Sequence, residues 1–465
     1  MTSYPFDAGV RRELAGAEKC PLPIARRVIE EILGPAGERS FDVRYWTGDT
    51  EAGGGETPAR FTLVLRGPGA FRQALLPPSK LALGEAFVRG DLDVEGDLEA
   101  AGDLGAILAA RLSSPRRLGR VLALLLRLPR EPAPMRAGPL RRARRPWSLP
   151  HTRRRDAAAI RHHYDVGNDF YRLWLDAETV YSCGYFPPGV DEIDTAQRAK
   201  LDYICRKLRL RPGERFLDIG CGWGGLIRHA ARHYGVQALG ITLSPAQAQL
   251  AEERIHADGL GDRCRVEVRD YRDLPPDEAF DKAASVGMFE HVGRARLPRY
   301  FEAVFGALRP GGLFLNHGII DLEEARGPRG VRLTRALWRD GGFVRRYVFP
   351  DGELVPLAEA LGAAEAEGFE TRDVESLREH YVLTLRHWVR RLEARGREAV
   401  ALIGEPTFRV WRLYLALSAH NFAAGKIGLV QLLLAKPAAA LSAALPLTRH
   451  DLYRDTSLVL PEASR

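Results

Sequence analysis

The sequence predicts an α/β fold built on a parallel sheet, preceded by a smaller α+β region. Strand-like apolar runs recur from residue 215 onward with helix-patterned segments between them, as in consecutive β-α-β units. The first of these runs ends in an acidic residue and a glycine-rich turn. A mixture of helix and strand patterns in residues 1–112 predicts the smaller region.

The glycine-rich turn lies in Arg215-Phe-Leu-Asp-Ile-Gly-Cys-Gly-Trp-Gly-Gly225. Its first residues are patterned as a buried strand, and Leu226–Tyr234 as the crossover helix that follows. Gly220 and Gly222 have no Cβ, so the backbone can turn sharply and approach a ligand closely. A glycine turn alone is weak evidence, but the order strand, Asp-x-Gly-x-Gly, helix predicts a pocket for a nucleotide-type ligand.

The composition is that of a soluble globular protein with more than one domain: 465 residues, 45% apolar and 28% charged. The net charge of +8 suits an acidic partner, either nucleic acid or an anionic membrane surface. The five cysteines are scattered without a C-x-x-C pair, which indicates neither a zinc site nor a disulfide framework and fits a reducing cytosol. We expect no signal peptide and no transmembrane helix, because Lys436-Pro437 interrupts the most apolar late stretch, Ile427–Leu447.

Four segments are predicted: a first domain over residues 1–112, a basic linker over 113–156, a catalytic domain over 157–440 and a tail over 441–465. In the first, Phe61–Leu65 alternates as a strand does. The linker contains one amphipathic or apolar helix within Leu118–Leu128, then six prolines and a dense run of arginines. It is either a solvated connection or an electrostatic anchor for anionic lipid, and the pattern leaves both open.

Five runs in the larger region are predicted strands: Arg215–Ile219, Val236–Ile241, Cys264–Val268, Lys282–Val286 and Gly312–Asn316. In a parallel sheet, ligands bind beyond the carboxyl ends of the strands. The residues that follow each run are therefore the candidates for a binding site.

Asp218 closes the first run. After the second, the acid that a dinucleotide-binding domain uses for the ribose is missing, and Thr242, Ser244 and Gln247 offer neutral hydrogen bonds instead. Ser244 before Pro245 is also good chemistry for a helix start, and the two interpretations are compatible. After the third run, Arg269-Asp-Tyr-Arg-Asp273 combines an acid and an aromatic ring that suit an adenine.

Two further candidates follow the fourth and fifth runs. Glu290 lies in the apolar turn Ser285-Val-Gly-Met-Phe-Glu-His-Val-Gly293, where a carboxylate is costly unless it has a partner or a task. His317 directly follows the fifth run. A single histidine in such a place is more often structural, but a glutamate and a histidine at the ends of adjacent strands suggest a reactive site.

Six motifs together resemble the cyclopropane-fatty-acyl-phospholipid synthase family, which includes the mycolic acid cyclopropane synthases. They are His163-Tyr-Asp-Val-Gly-Asn168, Tyr181-Ser-Cys183, Leu217-Asp-Ile-Gly-Cys-Gly-Trp-Gly224, Ile241-Thr-Leu-Ser244, Gly287-Met-Phe-Glu-His-Val-Gly293 and Tyr381-Val-Leu-Thr-Leu-Arg-His-Trp388. They occur in order over about three-fifths of the chain. The first region resembles the family's lipid-associated N-terminal domain more weakly, at Leu83-Gly-Glu-Ala-Phe-Val-Arg-Gly-Asp91.

The resemblance implies a Rossmann-like class I methyltransferase domain that binds S-adenosylmethionine, with a smaller α+β lipid-associated domain before it. The implied cofactor-binding residues are Tyr181, Ser182, Asp218, Gly220, Gly222, Gly224, Thr242, Gln247, Tyr271 and Arg272. The family usually has tryptophan where Tyr271 stands, a departure that preserves stacking. No metal is implied.

The resemblance also implies the chemistry: the methyl group is transferred to the cis double bond of a phospholipid acyl chain, and bound bicarbonate serves as the base that closes a cyclopropane ring. The positions implied to hold the bicarbonate are Cys183, Glu290, His317, Ile319 and Tyr381. The implied setting is cytoplasmic, at the surface of an anionic membrane, with a homodimer as the assembly.

Ser418 is the main departure, because many members have a cysteine there that has been regarded as catalytic. Either the thiol is not needed, or the same cation loses a different proton and leaves a methylene or methyl branch. A methyltransferase for small polar molecules and a non-enzymatic lipid-binding protein are competing hypotheses. A nucleic-acid methyltransferase is disfavoured, because the arginines cluster in the linker and no base-reading motif is visible.

Overall fold

The computed structural model describes residues 21–55, 58–76, 79–130, 152–164, 166–275, 279–323, 341–438 and 445–453. These residues form two compact units. The first comprises the described parts of Met1–Arg141, Arg329–Phe343 and Glu405–Leu413, and the second those of Arg142–Pro328, Val344–Gly404 and Tyr414–Arg465. The predicted bounds at 112, 156 and 440 remain predictions.

The first unit has a four-stranded sheet in the order β2-β1-β3-β4, in which β1 and β3 are parallel and the other two pairs antiparallel. Its elements are α1 (Pro21–Leu33), β1 (Asp42–Arg44), β2 (Thr50–Glu51), β3 (Phe61–Leu65), α2 (Pro68–Ala74), α3 (Lys80–Arg89), β4 (Leu92–Gly96), α4 (Leu104–Leu112) and α5 (Pro115–Arg127). The sequence had placed the α5 segment in the linker. In the structure α5 packs against α1 and buries Val121 and Leu125.

The second unit contains a seven-stranded sheet with helices between the strands. Its elements are α6 (Arg153–Tyr164), α7 (Asn168–Arg172), α8 (Ile193–Leu208), β5 (Arg215–Ile219), α9 (Gly225–Tyr234), β6 (Gln237–Thr242), α10 (Pro245–Ala257), β7 (Cys264–Val268), β8 (Phe280–Val286), α11 (Leu297–Ala307), β9 (Leu308–Asp321), α12 (Gly341–Tyr347), α13 (Leu357–Ala366), β10 (Glu370–Ser376), α14 (Arg378–Ala394), α15 (Gly396–Ile403), α16 (Glu405–Ala423) and β11 (Ile427–Ala435). The α/β fold with a parallel sheet is confirmed.

The strand order of this sheet is β10-β11-β9-β8-β5-β6-β7. The five strands from β9 to β7 are mutually parallel, whereas β11 runs antiparallel to both of its neighbours. The chain leaves β5 toward β6 on one side and returns later to β8 on the other. Ligands bind at such a reversal of strand order, so the carboxyl ends of β5 and β8 are the expected site.

Apolar side chains of the strands point alternately to the two faces of the sheet, and an apolar core covers each face. Leu217 and Leu239 pack in one apolar cluster, and Phe216 and Ala238 pack in the other, because successive strand residues point to opposite faces. The apolar stretch Ile427–Leu447 begins with β11, a strand buried between two others. Within the described parts of the chain, no helix has the length and apolar character needed to cross a membrane.

Candidate active site

The glycine turn lies at the carboxyl end of β5, where the fold places a ligand. The amides of Gly220 and Cys221 both donate to the carbonyl of Ile241, at 2.9 and 3.0 Å, which holds the turn against β6. Gly220 has a φ of +83°, and a Cβ there would lie 3.0 Å from the side chain of Met288. A larger residue at Gly220 would therefore be strained and crowded.

A pocket opens at this turn, and nine of the ten residues implied to bind the cofactor line it. They are Tyr181, Ser182, Asp218, Gly220, Gly222, Thr242, Gln247, Tyr271 and Arg272. The tenth, Gly224, is the residue before α9 and is absent from the pocket lining. Gly224 has a φ of +81°, and a Cβ at this position would lie 3.0 Å from the Ala251 Cβ. The glycine is therefore explained by the backbone conformation of the turn and by its close packing against Ala251.

Thr242, Ser244 and Gln247, the neutral hydrogen-bonding residues expected after the second strand, lie at the end of β6 and the start of α10. The Thr242 hydroxyl donates to Gln247 Oε1 at 2.8 Å, so the Gln247 amide group keeps its donors for another partner. Ser244 caps α10 by accepting from the Gln247 amide, and Pro245 occupies the first turn of that helix. Ser244 therefore has the helix-start role, while Thr242 and Gln247 face the pocket.

Tyr271 and Arg272 follow β7 on a short turn. The Arg272 guanidinium pairs with both oxygens of Asp270, at 2.8 and 2.5 Å, and with Asp156 at 3.1 Å. These hydrogen bonds raise the pKa of Arg272. The Tyr271 ring packs edge-on against Tyr300, with ring centroids 5.4 Å apart. The guanidinium is thus part of the pocket wall and holds the turn in place.

Glu290 lies in a short turn just after β8, as expected, and is buried. Its Oε1 accepts from the backbone amide of Ile319 at 2.6 Å. Its Oε2 is buried and has no hydrogen-bonding partner among the described residues. Burial raises the pKa of Glu290 to about 7, because solvation of the carboxylate is lost and no cation offsets the loss.

His317 does not follow a strand, contrary to expectation. Strand β9 continues to Asp321 because β11 pairs with it as far as Ile427, and His317 therefore lies inside the strand opposite Gln431. Its Nδ1 is 3.2 Å from the Gln431 amide nitrogen, while its buried Nε2 has no partner in the described structure. Burial holds the pKa of His317 well below its usual range, so the ring is neutral.

With the Gln431 amide nitrogen as donor, Nδ1 of the neutral His317 ring accepts and the proton resides on Nε2. His317 thus offers one N–H donor in a buried space, where its hydrogen bonds are stronger than in water. The chain supplies this donor without supplying a positive charge.

Backbone and thiol hydrogen bonds hold the other three residues that were implied to bind bicarbonate: Cys183, Ile319 and Tyr381. The Cys183 thiol donates to the carbonyls of Gly184 and Leu377, at 3.1 and 3.8 Å, and burial raises its pKa. The Tyr381 amide donates to that same Leu377 carbonyl at 3.1 Å. Two of these groups are already engaged within the chain: the thiol of Cys183 and the amide of Ile319, which Glu290 holds.

Ser418 lies on α16, one turn after Tyr414. Burial raises the pKa of Tyr414, and the neighbouring side chains of Tyr181 and Ser418 lower it, so Ser418 lies in the electrostatic surroundings that Tyr414 shares with pocket-lining Tyr181. None of the six residues predicted to be catalytic lines the pocket itself within the described structure. Met288 and His291, which flank the Glu290 turn, do line it.

Replacing Glu290 with glutamine should stabilise the fold in a pH-dependent way. The folded-state pKa of about 7 exceeds the ordinary 4.5, so the folded protein loses stability as pH rises from about 4.5 to about 7, and the loss is complete once the buried carboxyl has ionised. At ~1.4 kcal/mol per pKa unit, Glu290→Gln should be about 3 kcal/mol more stable than wild type at pH 8 and within about 1 kcal/mol of it at pH 5. Denaturant unfolding at the two pH values measures this. Glu353→Gln, at an exposed carboxylate, is the matched control and should show no such trend; a pH-independent difference for Glu290→Gln would contradict the buried ionisation.

The sequence interpretation missed several residues of the pocket wall, above all Lys200, together with Asp156 and His291. The position of Lys200 in the sequence could have indicated a functional role. It lies on the apolar stripe of α8, three residues after Gln197, and a lysine is almost never fully buried without a partner. The described residues contain no group of three or more His, Cys, Asp or Glu side chains placed to hold a metal ion.

Comparison with protein families gives two matches. The model described as mycolic acid cyclopropane synthetase matches residues 151–432, which is more than half of the chain. A model described only as a domain of unknown function matches residues 28–101.

Individual proteins give the same picture. A probable fatty acid methyltransferase of Pseudomonas putida is 50% identical over 304 residues, covering 65% of this chain and 75% of that protein. A probable fatty acid methyltransferase of Mycobacterium tuberculosis is 38% identical over 416 residues, covering 88% and 94%. The cyclopropane-fatty-acyl-phospholipid synthase of Escherichia coli is 37% identical over 274 residues, covering 59% and 66%.

Solved structures of the same kind match the chain. The cyclopropane synthase MmaA2 from Mycobacterium tuberculosis covers 60% of this chain and 98% of its own, with 32% identity and a TM-score of 0.56. A mycolic acid cyclopropane synthase complexed with SAH and CTAB covers the same shares, with 33% identity and a TM-score of 0.57.

Proposed function

Because the chain belongs to the mycolic acid cyclopropane synthetase family, we propose that it forms cyclopropane rings on unsaturated phospholipid acyl chains. It is a methyltransferase of the type that depends on S-adenosylmethionine, with the fold of the cyclopropane synthases in its second unit. The acyl substrate, the ring as product and the roles of individual residues are the proposal.

The observation that carries the proposal is a buried, uncompensated carboxyl beside the glycine-turn pocket. An alkene is a weak nucleophile. When its π electrons form a C–C bond to the sulfonium methyl group, the S–C bond breaks and a carbocation remains on the chain. Removal of a proton from the new methyl group then gives the electron pair that closes the ring. A carboxyl at Glu290, two residues after pocket-lining Met288 and one before pocket-lining His291, is suited to such a cation.

Aromatic side chains next to the pocket suit an apolar substrate. Tyr181 lines the pocket and lies 5.4 Å from Trp174 and 5.3 Å from Trp388, measured between ring centroids. Trp174 and Trp388 are fully buried and contact each other. Such walls exclude the water that would trap a carbocation as an alcohol, and their π faces attract a cation.

Bound bicarbonate would supply the base that removes the proton. The residues proposed to hold it are Cys183, Glu290, His317, Ile319 and Tyr381. The fit is supported by two buried atoms without partners in the described structure, Glu290 Oε2 and His317 Nε2. The raised pKa of Glu290 lets the protonated carboxyl donate to an anion, and the neutral His317 ring donates from Nε2.

Further parts of the proposal concern the setting of the reaction. We place the enzyme in the cytoplasm, with the arginines of the predicted linker attracting it to an anionic membrane surface, and with a homodimer as its assembly. Of the predicted linker, Arg141, Arg142, Arg144 and Arg145 lie outside the described residues. Arg155 belongs to α6 and pairs with both oxygens of Asp351, at 2.8 and 2.6 Å, so it is engaged within the second unit.

A second candidate function is methyl transfer that leaves a methylene or methyl branch instead of a ring. It is favoured by Ser418 and by the two relatives named probable fatty acid methyltransferases. Both outcomes begin with the same cation. Loss of a proton from the new methyl group closes the ring, whereas loss of a proton from the chain leaves a methyl branch on an alkene. An exocyclic methylene forms when a hydride first shifts onto the cationic carbon and the methyl group then loses its proton.

Replacing Ser418 with alanine should keep most of the activity, within about threefold of wild type. Ser418 is one of two side chains, with Tyr181, that lower the pKa of Tyr414, and Tyr181 remains when the Ser418 hydroxyl is removed. Initial rates with labelled S-adenosylmethionine would measure the effect, and Ser418→Cys, which introduces the thiol of other members, is the companion variant. A collapse of Ser418→Ala that Ser418→Cys does not share would show that the hydroxyl replaces the thiol in function.

The direct test uses S-adenosylmethionine with a labelled methyl group and anionic vesicles bearing cis-monounsaturated chains. The proposal expects a mass gain of one CH2 and strongly upfield ring protons in the NMR spectrum. Exocyclic vinyl protons at the same mass would select the second candidate. Tight binding of S-adenosylmethionine without any label in lipid would reject both and point to small polar acceptors.

A further inference from the structure

Helix α8 presents two buried polar side chains to the pocket segment that precedes it. Gln197 and Lys200 lie on one face, three residues apart, and are 0% and 1% exposed. The Gln197 amide nitrogen donates to the carbonyls of Val180 and Ser182, at 3.3 and 2.8 Å. The Lys200 ammonium donates to the Ser182 hydroxyl oxygen at 2.7 Å. Burying a lysine is costly, so these contacts require an explanation.

The segment thus held is irregular backbone at the wall of the pocket. The Asp176 carboxylate accepts from the amides of Glu178 and Val180, at 2.9 and 2.8 Å. Between them Thr179 has a φ of +57°, a strained conformation for a β-branched residue. Asp176 on one side and the α8 residues Gln197 and Lys200 on the other therefore hold this segment in place through hydrogen bonds within the chain.

The contact from Lys200 determines what Ser182 can do. An ammonium group only donates hydrogen bonds, so the Ser182 oxygen accepts from Lys200 and its own O–H is left to donate elsewhere. Ser182 and Lys200 both line the pocket, beside the glycine turn. The free O–H suits an acceptor atom of a ligand, and the positive charge behind the hydroxyl favours an anionic acceptor.

Asp218 places a hydrogen-bond acceptor in the wall of the same pocket, where Ser182 places a donor. Its Oδ1 is buried without a partner among the described residues, and the residue lines the pocket. Burial raises the pKa of Asp218, and the nearby Lys200 opposes that rise. An acceptor at Asp218 and a donor at Ser182 together complement a zwitterion, the ionic form of an α-amino acid.

We propose that Lys200 is a positioning residue that, through Ser182, forms the subsite for the carboxylate of the ligand's amino-acid tail. The inference rests on the proposed function, because it requires a ligand with a nucleoside and an amino-acid tail. It assigns Lys200 to recognition of the tail and not to recognition of the adenosine.

The test compares two ligands in the full chain by calorimetry: S-adenosylhomocysteine, which has the tail, and 5′-methylthioadenosine, which lacks it. Lys200→Met should weaken S-adenosylhomocysteine by about tenfold or more, as expected for a lost charge-assisted hydrogen bond, and leave 5′-methylthioadenosine within about twofold. Ser182→Ala should show the same tail-selective loss and serves if Lys200→Met does not fold. The double variant should lose little more than either single variant.

Lys207→Met is the matched control, because Lys207 is equally buried on α8 but pairs with Glu375 and Asp373. It should lower the melting temperature and leave the affinity ratio of the two ligands unchanged. An equal loss of both ligands in Lys200→Met and in Ser182→Ala would overturn the subsite and make Lys200 structural. Wild-type protein that bound neither ligand would overturn the proposed function, and the subsite with it.

Discussion

Glu290→Gln is expected to abolish methyl transfer, with kcat reduced by about 10²- to 10⁴-fold, while the affinity for S-adenosylhomocysteine remains near the wild-type value. The Glu290 side chain is buried next to the pocket without being part of its wall. Its Oε1 would keep the amide of Ile319 in the glutamine variant, so the turn should hold its shape. What changes is Oε2, which can no longer carry charge or a carboxyl proton.

Single-turnover rates and calorimetric titration together measure this split between chemistry and binding. Glu353→Gln is the control, because the amide of Glu353 donates to the carbonyl of Glu290 and its own side chain is exposed. It should turn over at the wild-type rate. If Glu290→Gln instead lost cofactor affinity at an unchanged kcat, Glu290 would belong to the binding site and not to the chemistry.

His317→Leu is the second change with a large expected effect, a fall in kcat of about 10²- to 10³-fold. The variant removes the donor at Nε2 and replaces it with an apolar group of similar size in a buried space. Because the ring is neutral, the loss is that of a hydrogen bond and not that of a charge. The kcat and KM for S-adenosylmethionine should be measured separately.

Gln431→Leu tests the residue that positions the His317 ring, while the N–H donor of His317 itself is kept. Gln431 contacts Nδ1 of His317 through its amide nitrogen, and as a donor there it favours the tautomer with the proton on Nε2. This variant should lose less activity than His317→Leu. A raised KM at constant kcat in His317→Leu would place the histidine at the cofactor and not at the reacting carbon.

The positions predicted for the first four strands and for the glycine turn agree with the structure, because both depend on local chemistry. A strand buried on both faces requires a continuous apolar run, and Phe216 and Leu217 indicate one without any knowledge of their neighbours. Gly220 needs a positive φ, which the sequence marks by the residue itself. Ser244 and Pro245 similarly carry the helix start within four residues.

The residue at which β9 ends could not be predicted from the local apolar pattern. The expected strand stopped at Asn316, since His317 and Gly318 interrupt the apolar run. The strand continues because β11, more than a hundred residues later in the chain, supplies backbone partners as far as Asp321. Antiparallel pairing between distant segments leaves no mark in the sequence around His317. The same pairing places Gln431 beside the ring, and thereby the proton on its Nε2.

By itself, the sequence determined the α/β class, the position of the glycine turn and the family, because each feature that indicates them is a short run of consecutive residues. The tertiary structure decided how the groups of the site are held. It buried Glu290 with one oxygen that has no hydrogen-bonding partner among the described residues, put His317 inside a strand, and brought Lys200 of α8 to the hydroxyl of Ser182. Burial, protonation and the direction of a hydrogen bond depend on neighbours in space, and those neighbours are distant in sequence.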